Sequence, residues 1–128
     1  MNAPSAVPAQ ALGGVTITAT PVSGDRTRFN VHFTEHFSNF EVNNKLPFAD
    51  WVEFWEQDES DDDWITGTKA FRVFPTTAPQ PADFSITIAN SKIDGESGAE
   101  EVYARAALRN DETGRVIYQN SRRIQLGV

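Results

Sequence analysis

Two histidines and a glutamate form a pattern that some zinc peptidases use. His32, Glu35 and His36 spell H-x-x-E-H, in which a helix brings both imidazoles onto one face, one turn apart. The flanking segment from Phe29 to Phe33 alternates apolar and polar residues instead, which is typical of a strand. In a strand, roughly 3.3 Å per residue separates His32 from His36 by about 13 Å, whereas each ligand lies only about 2.0 to 2.1 Å from a zinc ion. We therefore expect histidines that face solvent, and no peptidase.

An acidic run at residues 58 to 63 is a second candidate for chemistry. Its candidate ligands are Asp58, Asp61, Asp62 and Asp63, and clustered carboxylates on a flexible loop suit calcium. The run departs from an EF-hand loop, because the sixth position is not glycine and the twelfth is Lys69. Adjacent carboxylates also repel one another, so a solvated loop without metal is the alternative.

Three tryptophans, Trp51, Trp55 and Trp64, are clustered in the middle of the chain. Exposed indoles that lie beside carboxylates can form a platform on which sugars stack. In a strand, Trp51 and Trp55 share a face and are about 13 Å apart, a spacing that a sugar chain can bridge. Packing in the core is the other role these indoles can have.

The charge is divided unevenly along the chain. Residues 1 to 64 hold 11 acidic and 3 basic side chains (net −8), and residues 65 to 128 hold 7 acidic and 8 basic ones (net +1). Candidate interaction residues are Arg105, Arg109, Arg115 and Arg122, which either pair with acidic strands of the same chain or contact the acidic half of another copy or partner. The total charge of −7 disfavours nucleic acid and anionic membranes.

Several kinds of chemistry find little support in the residues. The absence of cysteine excludes disulfides and thiolate chemistry, and neither a G-x-S-x-G turn nor a phosphate-binding glycine loop is present. No apolar run is long enough to span a membrane, and the first eight residues do not predict a secretory signal. We therefore expect a protein that is not an enzyme, holds no cofactor unless the acidic run binds calcium, and does not insert into membranes. Its compartment stays unknown.

The elements that position these residues are strands. Segments 15–20, 29–34, 51–56, 64–74, 84–88, 102–109 and 115–118 show alternation or β-branched and aromatic enrichment. We interpret residues 1 to 14 as a flexible arm and residues 15 to 128 as one domain. Residues 35 to 50 predict a loop with an embedded short strand, and three prolines in residues 75 to 81 predict a crossing between sheets. The prediction is an all-β, antiparallel two-sheet sandwich of about seven to eight strands, with a small closed barrel as the alternative.

The aromatic strand at Trp51 to Trp55, the Tyr103 strand and the turn from Asn110 to Gly114 resemble an immunoglobulin-like or fibronectin type III-like sandwich. The resemblance implies that Trp51 or Trp55 takes the place of the tryptophan on the third strand. It also offers Tyr103 for the tyrosine of the sixth strand, although the alternation of that strand turns Tyr103 outward. Such domains serve in binding or spacing far more often than in catalysis.

These observations together predict a non-enzymatic interaction or assembly module that binds a protein partner or a second copy of itself. The alternative is a carbohydrate-binding module that uses the three tryptophans, with or without calcium. Indoles that face solvent in a row favour sugar, whereas buried indoles and a flat apolar edge favour protein.

Overall fold

Residues 11–57, 61–93 and 100–126 are described in a computed structural model, where alternating residues build two antiparallel sheets. The strands are β1 (Ala11–Ser23), β2 (Arg26–His36), β3 (Phe48–Gln57), β4 (Asp62–Gly67), β5 (Phe71–Val73), β6 (Pro79–Ala89), β7 (Glu100–Asn110), β8 (Val116–Asn120) and β9 (Ile124–Leu126). Two short helices interrupt them, α1 (Asn39–Asn43) and α2 (Asn90–Ile93). No helix among the described residues is long and apolar enough to cross a membrane.

One sheet has three strands in the order β1-β2-β6, and the other has six. In the larger sheet the path is β4-β3-β7-β8; β5 also pairs with β3, and β9 also pairs with β7. Strand β3 therefore lies at the centre of the larger sheet. The all-β two-sheet sandwich predicted from the sequence is confirmed, and the two separate sheets correct the alternative of a closed barrel.

The core lies between the sheets and is built from the inward half of each alternating strand. Phe29 of β2 and Phe54 of β3 meet across it with ring centroids 5.5 Å apart. Strand β7 contributes a row of small and medium side chains that are fully buried: Val102, Ala104, Ala106 and Leu108. A second cluster of Phe37, Phe48 and Leu108 closes one end. The apolar parity read from the sequence is therefore the parity that faces the core.

Two turns join neighbouring antiparallel strands as hairpins. Gly24 and Asp25 join β1 to β2, where Ser23 pairs with Arg26. Between β7 and β8, Gly114 has a φ of +79°, a left-handed conformation that favours glycine. The Asn110 side chain accepts hydrogen bonds from two backbone amides of the same turn.

The prediction of a loop with a short strand at residues 35 to 50 is wrong, because α1 lies there. Ser38 accepts a hydrogen bond from the backbone amide of Glu41, and the Glu41 carboxylate accepts one from the amide of Ser38. This capping box satisfies donors at the start of a helix that is too short to show a period. The first three residues of β3, from Phe48 to Asp50, also come from this segment.

Other boundaries differ from those expected. Residues 11 to 14 of the predicted arm belong to β1, and residues 1 to 10 lie outside the described residues. The predicted strand at 64 to 74 is two strands, β4 and β5, which pair with successive parts of β3. As expected, the proline-containing segment after β5 crosses from the larger sheet to the smaller one.

Two carboxyl groups interrupt the apolar core. Glu35 follows the inward parity of β2 and is 1% exposed, and Asp50 follows the inward parity of β3 and is 5% exposed. Their side chains hydrogen-bond to each other, which requires a proton on one of them. Burial, together with the neighbouring Asp50, raises the pKa of Glu35 to about 9. Burial also raises the pKa of Asp50, while the hydrogen bond from Glu35 opposes that rise.

This pair makes stability depend on pH. The folded chain keeps the Glu35 proton up to about pH 9, whereas the unfolded chain releases it near the ordinary pKa of 4.5. The contribution of Glu35 is therefore fully present below pH 4.5 and is lost as pH rises towards 9, by at most about 1.4 kcal/mol per pH unit. We expect the melting temperature to fall between about pH 5.5 and pH 8.5 and the fall to be much smaller in Glu35→Gln. Thermal melts over this range test the prediction, with Glu112→Gln in an exposed turn as control. An equally steep fall in Glu35→Gln would contradict it.

Candidate functional site

Strand β3 presents Trp51, Glu53 and Trp55 on the side of the larger sheet that faces away from the core. The register places Trp64 of β4 on one side of Trp55 and Tyr103 of β7 on the other. Residues that pair directly across antiparallel strands share a face. The three tryptophans predicted from the sequence therefore lie on one surface, and none is in the core.

Glu53 holds two of the indoles in place. Its carboxylate accepts a hydrogen bond from Trp51 Nε1 at 3.0 Å through Oε2 and one from Trp55 Nε1 at 3.0 Å through Oε1. These contacts are possible because residues two apart in a strand point the same way. A charged acceptor strengthens each hydrogen bond, so the two rings are held in fixed orientations.

Two arginines from β7 complete the surface. Arg105 lies over the ring of Trp55, with 5.0 Å from Cζ to the ring centroid, and 5.8 Å from that of Tyr118 on β8. Arg109 lies 5.6 Å from the ring centroid of Trp51. A guanidinium over an aromatic face is attracted by the ring quadrupole. We call this surface the outer face: Trp51, Glu53, Trp55, Trp64, Arg105, Arg109 and Tyr118.

The rings of the outer face meet edge to face. Trp55 and Trp64 are inclined by 86°, and Trp51 and Tyr118 by 81°. Trp64 is 55% exposed and Tyr118 is 53% exposed, whereas Trp51 and Trp55 are half-buried. The outer face therefore presents ring edges, ring faces and guanidinium groups side by side, and its rings are not parallel to one another.

The outer face ends at a polar groove. Tyr103 donates a hydrogen bond to Asp62 at 2.6 Å, and its ring is 3% exposed. Burial and this hydrogen bond to Asp62 raise the pKa of the Tyr103 hydroxyl. Arg122 lines the same groove. Tyr103 therefore points outward, as the alternation of β7 predicted, and joins β7 to β4.

The arginines predicted from the sequence separate into two groups. Arg105 and Arg109 lie on the outer face, while Arg115 is exposed at the start of β8 and Arg122 is exposed after its end. Sequence reasoning did not anticipate that the tryptophans and two of the arginines lie together. It also missed Glu53, although its position between Trp51 and Trp55 in an alternating strand was a usable signal.

The predicted calcium ligands do not gather in the part of the run that the structure covers. Asp58 lies outside the described residues, and Asp61 and Asp63 are exposed. Asp62 and Asp63 are successive residues of β4, so their side chains point to opposite faces, and this part of the run is a strand where a solvated loop was expected. In the described ranges, no group of three histidine or acidic side chains could hold a metal ion.

The two histidines have the positions expected for a strand. His32 and His36 are exposed on β2, and Nδ1 of His32 contacts the Asp83 carboxylate of β6 at 2.7 Å. Glu35, the third residue of the H-x-x-E-H pattern, points to the opposite side, into the core. The three side chains therefore cannot act as one site.

Replacing Glu53 tests its role as the shared acceptor. A glutamine offers one oxygen acceptor where the carboxylate offers two, so we expect Glu53→Gln to leave one indole N–H without its partner. The expected loss of stability is about 1 kcal/mol, measured by urea denaturation, together with a change in tryptophan emission. Glu112→Gln, which removes a charge in an exposed turn, should change neither. Unaltered stability and emission in Glu53→Gln would contradict the assignment.

Comparison of the chain with models of known protein families finds no match, and comparison with curated proteins finds no significant relative. The outer face is therefore interpreted from its own residues. These residues are aromatic rings, guanidinium groups and a carboxylate that accepts hydrogen bonds from two of the indoles.

Proposed function

We propose that this chain is a non-enzymatic protein-interaction module whose outer face binds an acidic protein surface. The observation that carries the proposal is the placement of Trp51, Trp55 and Trp64 with Arg105 and Arg109 on one sheet face. Tryptophan, tyrosine and arginine dominate the binding energy of protein interfaces. The rigid support from Glu53 reduces the ordering cost of association.

The charges of the outer face favour an acidic partner. Arg105 donates to the neutral side chain of Asn120 at 3.0 Å and so keeps its charge for a partner. Arg72 of β5 and Arg109 of β7 both pair with Ala49, from opposite edges of β3. Arg109 forms a salt bridge with Asp111 at 2.7 Å, so Arg72 is the residue that adds a basic group to the same side. Glu53, which lies between the indoles, already accepts two hydrogen bonds. A chain of net charge −7 thus has a locally basic surface.

Carbohydrate binding is the second candidate, because all three indoles face away from the core and Trp64 is 55% exposed. Two features oppose it. The Trp55 and Trp64 planes are nearly perpendicular, so both cannot stack on one flat sugar chain. Arg105 and Arg109 also lie over the faces of Trp55 and Trp51, where a sugar would have to stack.

The strand order supports an immunoglobulin-like topology as part of the proposal. The sheets β1-β2-β6 and β4-β3-β7-β8 correspond in order to strands A-B-E and C′-C-F-G of such domains. In that correspondence β3 is the third strand and carries Trp51 and Trp55 outward, where immunoglobulin domains have an inward tryptophan. Tryptophans that face outward on this strand, where such domains have one that faces the core, support a binding role for the outer side of the sheet.

The experiment uses poly-L-glutamate as a defined acidic polypeptide, with tryptophan emission as the signal. We expect binding that weakens at high salt and that weakens about tenfold, or about 1.4 kcal/mol, in Arg105→Gln. Arg28→Gln is the matched control, because Arg28 is exposed on β2 and belongs to the smaller sheet. Equal binding by Arg105→Gln and Arg28→Gln would contradict the proposal.

Other ligands distinguish the alternatives in the same assay. A response to cellohexaose or chitohexaose without one to poly-L-glutamate would favour the carbohydrate function. A response to oligothymidylate alone would indicate single-stranded nucleic acid, for which aromatic rings and arginines on a sheet are also suited. Trp64→Ala should weaken binding of whichever ligand uses the outer face, and Phe40→Ala, at an equally exposed aromatic residue of α1, should not.

The acidic partner of the outer face can be a second copy of the same chain. Its residues 1 to 64 carry 11 acidic and 3 basic side chains, which can meet the arginines of the outer face. Sedimentation velocity at about 50 mM and about 500 mM salt tests this case, since charge-driven association weakens with ionic strength. A monomer at both salt concentrations would restrict the proposal to partners other than the chain itself.

A further inference from the structure

A cleft lies on the other side of β3 from the outer face, where the edge of the smaller sheet approaches β5. Its volume is about 410 Å³, within the range of about 300 to 1,000 Å³ that small-ligand pockets occupy. Glu35 and Asp50 lie at the buried end, and Phe71 and Phe84 form the apolar wall. The cleft therefore combines a charged end with an aromatic wall.

The carboxyl pair at the buried end has no hydrogen-bond donor apart from the one proton that its two members share. Oε2 of Glu35 is buried and accepts no hydrogen bond from any other group of the described residues, and Glu35 is only 1% exposed. The hydroxyl of Thr68, which also lines the cleft, donates to the carbonyl of Lys69 instead. A buried acceptor without a donor is costly, so this end of the cleft is suited to a ligand that brings donors.

The charges around the cleft specify the sign of such a ligand. Asp83 lies at the rim and pairs with His32. Lys69 stays outside the buried end, with its Nζ 5.3 Å from the centroid of the Phe71 ring. The rings of Phe71 and Phe84 have centroids 5.8 Å apart. Carboxyl groups attract a cation and supply charge-assisted acceptors, and aromatic faces bind cations and alkyl chains.

We propose that this cleft binds the primary ammonium group of an alkylamine, with the charged end on Glu35 and Asp50 and the alkyl chain against Phe71 and Phe84. The three N–H donors of an ammonium group satisfy both carboxyl groups, including Oε2 of Glu35. The site is independent of the outer face, because Asp50 and Trp51 are successive residues of β3 and point to opposite sides of the sheet.

Binding has a stoichiometric consequence for protons. Without ligand, Glu35 holds the proton that its hydrogen bond with Asp50 requires. An ammonium group replaces that proton, so Glu35 releases it to solvent as the cation binds, and the amine itself stays protonated. We therefore expect up to about one proton released per amine bound at neutral pH, and tighter binding at about pH 8 than at about pH 6, by at most tenfold per unit.

The experiment is isothermal titration calorimetry of the full chain with 1-pentylamine, in phosphate and in HEPES buffer, neither of which contains a primary amine. Because the two buffers differ in ionisation enthalpy, the apparent heat measures the protons released. 1-Pentanol, which has the same chain without the charge, should bind at least about tenfold more weakly. Nα-acetyl-lysine N-methylamide is a third titrant: binding of both amines indicates a site open to lysine side chains, and binding of 1-pentylamine alone indicates a small-molecule site.

Isosteric variants assign the effect to the pair. Asp50→Asn should weaken 1-pentylamine binding at least about tenfold, and Glu35→Gln should abolish proton release because glutamine has no proton to lose. Glu112→Gln, in the exposed turn between β7 and β8, removes a carboxylate away from the cleft and should leave both quantities unchanged. Circular dichroism establishes that each variant is folded. The proposal is overturned if 1-pentylamine gives neither heat nor a melting shift at about 50 mM, if 1-pentanol binds equally well, or if folded Asp50→Asn binds like the wild type.

Discussion

The alternation of β3 is the constraint on which both surfaces of the larger sheet depend. Phe48, Val52 and Phe54 are fully buried, and the contact between Phe54 and Phe29 joins the two sheets. Because side chains of a strand alternate between its two faces, this packing places Trp51, Glu53 and Trp55 on the face opposite the core. A slip of one residue would place tryptophans in the core and phenylalanines in water. The energy of core packing therefore specifies the outer face, although no residue of that face belongs to the core.

The same constraint explains why two carboxyl groups are buried. Asp50 and Glu35 occupy inward positions of β3 and β2. They lie on the same face of their strands as fully buried phenylalanines. Desolvation makes a charged pair there costly, and the pair lowers this cost by sharing a proton. Keeping a polar pair in a position where a hydrophobic residue would stabilise the fold is a typical compromise of functional sites. The buried carboxyl pair in the cleft is for this reason a better candidate for a ligand site than the exposed histidines of the H-x-x-E-H pattern.

The sequence predicted those features of the fold that are local in the chain. Alternation predicted the shared face of Trp51 and Trp55 and the outward direction of Tyr103, because period two is a property of each strand alone. The capping box of Ser38 and Glu41 was visible but belongs to a helix of five residues, which is too short to produce a hydrophobic period. The inward parity of Glu35 with Phe29 and Phe33 was likewise local, whereas its pairing with Asp50 joins strands of two different sheets and has no local signal.

The composition of the outer face was not predictable in this way, because it depends on pairing between distant strands. Glu53 pairs with Arg105 and Trp55 with Tyr103, contacts that span about 50 residues and are specified by register, not by local pattern. The arginines of β7 and the tryptophans of β3 thus appeared in the sequence as two unrelated features, one suggesting charge pairing and the other sugar stacking. The shared surface relates these two features. The guanidinium groups cover ring faces that a sugar would need, and the rings in turn hold the guanidinium groups in fixed positions.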